Sequence, residues 1–155
     1  MHDVNIYCSE LGQPTAVRIR EGLRLQDPPI RAHDLALESL SSAAILNSLR
    51  YGMLSSTRHA ILVCAQEVAQ AVADPGMGGL ISVYPSSAEH PVIFFIFHAC
   101  DPSPFLQRWP ATRAGLCRSE EADPAPLHRS LMASLAMPFN PPPFPEHLKA
   151  PRSVS

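Results

Sequence analysis

His33-Asp34-Leu35-Ala36-Leu37-Glu38-Ser39-Leu40-Ser41-Ser42-Ala43-Ala44-Ile45-Leu46-Asn47-Ser48-Leu49-Arg50 runs directly into Tyr51-Gly52-Met53-Leu54, and His59-Ala60-Ile61-Leu62-Val63-Cys64 follows. The first part has the pattern of a helix. Asp34 is placed to cap the free N–H groups of a first turn and to put negative charge at the positive end of the helix dipole. Pro28-Pro29 upstream bring the chain in from an extended segment. At about 100° per residue, Leu46, Ala43, Ala36, Leu40, Ala44 and Leu37 sweep one broad arc, which Ile45, Leu49 and Leu35 widen. A helix apolar on most sides is buried, here against a sheet. Arg50 suits its last turn, and Gly52 breaks the pattern. Tyr51–Leu54 and His59–Val63 then read as two strands joined by Ser55-Ser56-Thr57-Arg58. In this arrangement Leu40 and Ala44 are buried together with Ile61 and Val63.

Upstream, Val4–Cys8 alternates like an edge strand, and Glu10-Leu11-Gly12-Gln13-Pro14 ends it. Residues 16–25 alternate as well. Val17, Ile19, Leu23 and Leu25 are apolar, and Arg18, Arg20 and Arg24 lie between them. A hairpin with the three-residue turn Arg20-Glu21-Gly22 pairs Ile19 with Leu23 and Val17 with Leu25, and places Gly22 where a left-handed residue is needed. That register sets Arg18 opposite Arg24. Like charges so placed repel, and a bound phosphate would bridge them. Arg18, Arg20 and Arg24 are therefore the candidate anion-binding residues, with a solvated face as the plain alternative.

Downstream, Ala65–Ala73 fits either a helix or a continued strand. Asp74-Pro75-Gly76-Met77-Gly78-Gly79 is a loop, and Leu80–Tyr84 a strand. Pro85–Pro91 is a further loop. Val92-Ile93-Phe94-Phe95-Ile96-Phe97 has the unbroken apolar character of a central strand buried on both faces, with a short buried helix as the competing reading. His98, Cys100 and Asp101 close it and are the weak candidates for metal ligation. A hydrogen-bonded histidine beside a buried thiol accounts for them without a metal. Beyond Asp101, prolines at 102, 104, 110, 124, 126, 138, 141, 142, 143, 145 and 151 break regular structure. Phe105–Trp109 forms one helical turn that docks Trp109. Leu127–Met137 forms a helix through Leu127, Leu131 and Leu135, ended by Pro138. The run Asn140-Pro141-Pro142-Pro143-Phe144-Pro145 suits polyproline II.

Composition excludes more than it assigns. The chain has 155 residues, a net charge of -2 and 17% charged residues, so no overall field draws it to nucleic acid or membrane. Its one lysine is Lys149. A phosphate-cradling P-loop, a kinase strand lysine and a Schiff-base lysine all need one earlier in the chain. The four cysteines, Cys8, Cys64, Cys100 and Cys117, have no two-residue spacing of a zinc or redox motif. The N-terminus lacks a signal-peptide layout. The run from Val92 to Phe97 is far short of the roughly 20 residues that span a bilayer. These features predict an intracellular setting, cytoplasmic or nuclear, with structural thiols and no cofactor.

The helix followed by Tyr51-Gly52-Met53-Leu54-Ser55-Ser56 and an apolar strand resembles a segment of restriction-endonuclease-like domains, including those accompanying fungal kinase-like and Crinkler-type proteins. The resemblance covers about 30 residues. It implies a metal-dependent nuclease strand of Glu-x-Lys type. This chain offers Glu21-Gly22-Leu23-Arg24, with arginine where the lysine would stand, and arginine is a poor general base. On that resemblance the site is degenerate or lies on a partner chain.

The sequence thus predicts an α+β fold, a small, mostly antiparallel sheet on one long buried helix. Residues 1–137 form a single domain, with 102–137 proline-rich and loosely structured, and 138–155 form a disordered tail. Two functional readings remain open. One is a binding module for a protein partner with no catalytic site. The other is a degenerate nuclease-like domain with an arginine-lined nucleic-acid face.

Overall fold

The computed structural model describes residues 2–37, 39–56, 59–75, 93–97, 100–108, 116–118 and 124–136. Five strands, β1 (His2–Cys8), β2 (Ile30–Ala36), β3 (His59–Cys64), β4 (Ile93–Phe97) and β5 (Leu116–Arg118), form one sheet in the order β2-β1-β3-β4-β5. Every neighbouring pair is parallel. The helices among the described residues are α1 (Gln13–Arg24), α2 (Ser42–Ser56), α3 (Gln66–Val72), α4 (Ser103–Arg108) and α5 (Pro124–Leu135).

This is an α/β fold, and it corrects the expected antiparallel sheet. Parallel neighbours need a crossover, and a crossover helix must lie on a face of the sheet. Helices therefore cover both faces. On one side Ala16, Ile19 and Leu23 of α1 and Leu127 and Leu131 of α5 pack on Val4, Ile6, Ile61, Val63, Phe94 and Ile96. On the other, Ile45 and Leu49 of α2, Val68 and Val72 of α3 and Phe105 of α4 pack on Tyr7, Leu62, Phe95 and Phe97. Alternate residues of β3 thus serve opposite cores.

The expected hairpin at residues 16–25 is helix α1. Ala16, Ile19 and Leu23 follow a three-then-four spacing that fits a helix, as readily as Val17, Ile19, Leu23 and Leu25 fit the alternation of a strand. Gly22 lies inside α1, where glycine costs about 1 kcal/mol relative to alanine. Burial of Leu23 against the sheet offsets it.

The expected helix start at Asp34 is also corrected: His33 and Asp34 belong to β2. The cap of α2 is Ser41, whose Oγ accepts the Ala44 N–H at 3.2 Å while its carbonyl accepts the Ile45 N–H at 3.0 Å. Tyr51–Leu54 continue α2 instead of forming a strand. Leu40 and Ala44 are only half-buried, and Leu40 packs with Leu62 on the face opposite Ile61 and Val63. The expected common cluster of these four residues does not form.

Other expectations hold. Val4–Cys8 is a strand, though it lies between β2 and β3 and not at an edge. Residues 59–63 and 93–97 are strands with every residue buried. Residues 66–72, which the sequence leaves open between helix and strand, are helical, and the segment 127–135 lies in α5. The turn around Phe105 is α4, with Phe105 buried between Phe95 and Phe97 at ring-centroid distances of 4.7 and 5.5 Å. The expected strand 80–84, the loop 85–91, the docking of Trp109 and the tail 138–155 lie outside the described residues. No helix among the described residues is long and apolar enough to cross a membrane.

Candidate functional site

The strand order places a switch point between β1 and β3. From β1 the chain crosses to β2 on one side and then returns to build β3, β4 and β5 on the other. In sheets of this topology the loops at such a point diverge, and ligands bind in the crevice outside the carboxyl ends of the two strands.

On the β1 side the crevice wall is the turn Cys8-Ser9-Glu10-Leu11-Gly12. The Gly12 N–H donates to the Ser9 carbonyl at 3.1 Å, and the Gln13 N–H donates to the Glu10 carbonyl at 3.3 Å. Gly12 is the N-cap of α1 and supplies no side-chain cap. No acidic residue lies in the first turn, and Pro14, one of its residues, has no N–H to offer. The turn sits hard against β3: a Cβ at Gly12 would lie 2.9 Å from Val63 Cγ1. Glycine is needed here for close approach, with an ordinary negative φ.

Ser9 is 5% exposed, and its hydroxyl has no hydrogen-bond partner among the described residues. Native proteins pair nearly all such groups, so each exception needs a reason. Thr15, equally buried in the first turn of α1, accepts a 3.5 Å contact from Arg18 Nη2. The guanidinium of Arg18 is thus drawn back toward the start of its helix. The Leu37 N–H donates to the Cys8 carbonyl at 2.9 Å, which holds the β2–α2 connection along the same edge. On the β3 side the edge is Ala65, the buried N-cap of α3, followed by exposed Gln66.

Farther along this edge, at the end of β4, lies a cavity of about 310 Å³ between α3 and α4. Gln66, Gln70, Ala69, Phe97, Cys100 and Phe105 line it. The Cys100 thiol donates to the Cys64 carbonyl at 3.1 Å. Burial, and then the neighbouring Cys100, push the Cys64 thiol well above its ordinary value.

The three sequence-predicted arginines all lie on α1, but they form no bare cationic face. Arg20 Nη1 is 2.6 Å from Asp34 Oδ2, and its Nε is 3.5 Å from Glu21. Arg24 grips Glu21 through Nε and Nη2 at 3.1 and 2.8 Å, which holds the Glu21 carboxyl below its ordinary value. Arg18 makes no ion pair among the described residues. Glu21-Gly22-Leu23-Arg24 is helical, so these residues do not form the strand that the nuclease resemblance implies. Of the weak metal candidates, His98 lies outside the described residues. Asp101 Oδ1 accepts from Ser103 N at 3.0 Å and Ser103 Oγ at 2.7 Å, closing the start of α4. Among the described residues, no three His, Cys, Asp or Glu side chains gather in a metal-holding group.

Sequence reasoning passed over Ser9, Gly12 and Thr15. Their signal was a strand, then a glycine, then a helix. It was hidden because residues 16–25 also alternate. Compared with protein-family models, curated proteins and solved structures, the chain gives no match.

Proposed function

We propose that this chain is a binding module that takes a small anionic ligand, bearing a phosphate or carboxylate group, at the carboxyl ends of β1 and β3. The observation that carries the reading is the buried Ser9 hydroxyl in the switch-point turn, which has no partner among the described residues. A buried hydroxyl without a partner costs about 1–3 kcal/mol, and a bound oxyanion would accept a hydrogen bond from it. Two further features agree. The N-terminus of α1, a helix of 12 residues, has neither a side-chain cap nor an acidic residue in its first turn, and the helix dipole at such a terminus favours an anion, although the Gln13 N–H is already taken by Glu10 and Pro14 has none. Arg18 reaches back to Thr15 in that same turn and makes no ion pair among the described residues. The single glycine of the turn rules out the multi-glycine dinucleotide fingerprint, so the ligand contact is smaller than a cradled pyrophosphate.

The test is titration of the full chain with inorganic phosphate at low ionic strength, followed by backbone amide NMR and calorimetry. Saturable shifts at residues 12–16, weakened by Ser9→Ala and by Arg18→Ala, are expected. Absence of binding by the unaltered chain overturns the reading. A short oligonucleotide serves as the second probe. Binding of it that survives Ser9→Ala but is lost in Arg20→Ala/Arg24→Ala would move the contact to the flank of α1.

A further inference from the structure

Cys64 and Cys100 stand apart from the switch-point turn, on the aromatic side of the sheet. Cys64 ends β3 and is completely buried. Cys100 lies three residues beyond Phe97, the β4 residue that pairs with Cys64 across the sheet. Cys100 packs against the same core as Cys64. Its sulfur comes within 3.1 Å of the Cys64 carbonyl oxygen. Both thiols are reduced. Cys100 is half-buried and forms part of the wall of the 310 Å³ cavity, whereas Cys64 lies behind it.

We propose that Cys64 and Cys100 form a two-thiol oxidation site, with Cys100 as the attacking thiol and Cys64 as the resolving thiol, and a low-molecular-weight disulfide as oxidant. In the first step the Cys100 thiolate attacks one sulfur of the small disulfide. A protein–small-molecule mixed disulfide forms, and one small thiolate leaves. In the second, the Cys64 thiol gives up its proton, and its sulfur attacks Cys100 Sγ. The intramolecular disulfide forms, and the second small thiolate leaves and takes up a proton. Two protein thiols are oxidised and one small disulfide is reduced to two thiols, so atoms and electrons balance. Access sets the order, because only Cys100 borders the cavity. Burial makes the second step the slow one, since the Cys64 thiol resists ionisation. The new bond would tie the end of β3, immediately before α3, to the segment that leads into α4. It would also change the wall of the cavity.

The experiment incubates the full, folded chain with glutathione disulfide, blocks remaining thiols with an alkylating agent, and maps the digested peptides by mass spectrometry. The expected product is a peptide cross-linked through Cys64 and Cys100, reversed by dithiothreitol, with Cys8 recovered alkylated. Cys64→Ala should stop at glutathione attached to Cys100. Three results overturn the proposal: glutathionylated Cys100 as the final product of the unaltered chain, a cross-link made through Cys8 or Cys117 instead, or no oxidation of the folded chain when the denatured chain oxidises. The mapping of the unaltered chain decides the matter even if Cys64→Ala does not fold.

Discussion

The two faces of the sheet are built differently. The face under α1 and α5 is mostly aliphatic, with Val4, Ile6, Ile61, Val63, Leu23 and Leu131 packed around the buried ring of Phe94. Polar groups border it: Arg20 pairs with Asp34, and His128 Nε2 lies 2.8 Å from the Pro28 carbonyl. The face under α2, α3 and α4 carries Phe95, Phe97 and Phe105 with the thiols Cys64 and Cys100. The first face is fastened at its margins by hydrogen bonds. The second is held by closely packed, tilted rings and opens into a cavity at its carboxyl end. Side-chain volume therefore dominates the second face, and the fit of backbone and charge matters more on the first.

The largest expected effect breaks the aromatic face. Phe95 is fully buried and its ring lies 4.7 Å from that of Phe105. Phe95→Ala should cost about 3–5 kcal/mol, the usual range for removing a buried ring. A denaturant midpoint shift worth less than about 1 kcal/mol would mean that the rings are not the mainstay of this face.

Next comes Gly12→Ala, which tests the close approach of the β1–α1 turn to β3. The added methyl meets Val63 Cγ1 at 2.9 Å, so the turn or Val63 must shift, at about 1–3 kcal/mol. Val63→Ala leaves a cavity when made alone, but it makes room for the new methyl. The double variant should therefore be more stable than the sum of the two single changes, by equilibrium unfolding. Strict additivity would show that the turn does not press on Val63.

These two regions were unequally legible in the sequence. The runs 59–63 and 93–97 declare buried strands, because a strand covered on both faces has no polar residues to spare. What a lone strand cannot declare is the direction of its neighbour. Parallel pairing follows only once α1 is recognised as a crossover, and α1 was obscured by apolar residues that satisfy both periods. Asp34 misled for a related reason. An acid ahead of an apolar stretch suits a cap, yet in β2 it serves as the partner of Arg20 on the neighbouring helix, a contact between residues 14 apart. For Ser9 the strand–glycine–helix order marks the turn but not the residue. A serine after a strand is ordinary, and only three-dimensional burial reveals that its hydroxyl is unpaired.

The pH dependence sharpens the comparison, because each face carries a buried thiol and the sheet carries a buried histidine. Burial lowers the pKa of His59 below its ordinary value of 6.5. The unfolded chain then binds the proton more readily than the folded one, so stability should fall as pH drops below about 6.5. Cys64 and Cys8 are shifted the other way, above their ordinary value of 9.0, by burial first and then by Cys100 and Asp34 respectively. Above that value the unfolded chain loses its thiol protons first, so stability should fall again as pH rises. Thermal unfolding across the range should show a plateau between these limits. If Cys64→Ala and Cys8→Ala leave the alkaline limb unchanged, the thiols are not its source.

The smallest expected effect lies at the polar margin. Arg20 Nη1 and Asp34 Oδ2 are 2.6 Å apart, yet the arginine side chain is 38% exposed, so solvent screens much of the attraction. Arg20→Ala should cost no more than about 1 kcal/mol, the usual limit for such pairs. Asp34→Asn should cost a similar amount, but it also acts on Cys8. The Asp34 carboxylate is the second cause, after burial, of the raised Cys8 thiol pKa. Removing its charge should lower that pKa slightly and leave it above 9.0, because burial remains. Titration of the Cys8 thiol by pH-dependent alkylation, with the other three cysteines replaced, measures this directly. An unchanged titration in Asp34→Asn would mean that Asp34 does not act on the thiol, leaving burial alone to account for the shift.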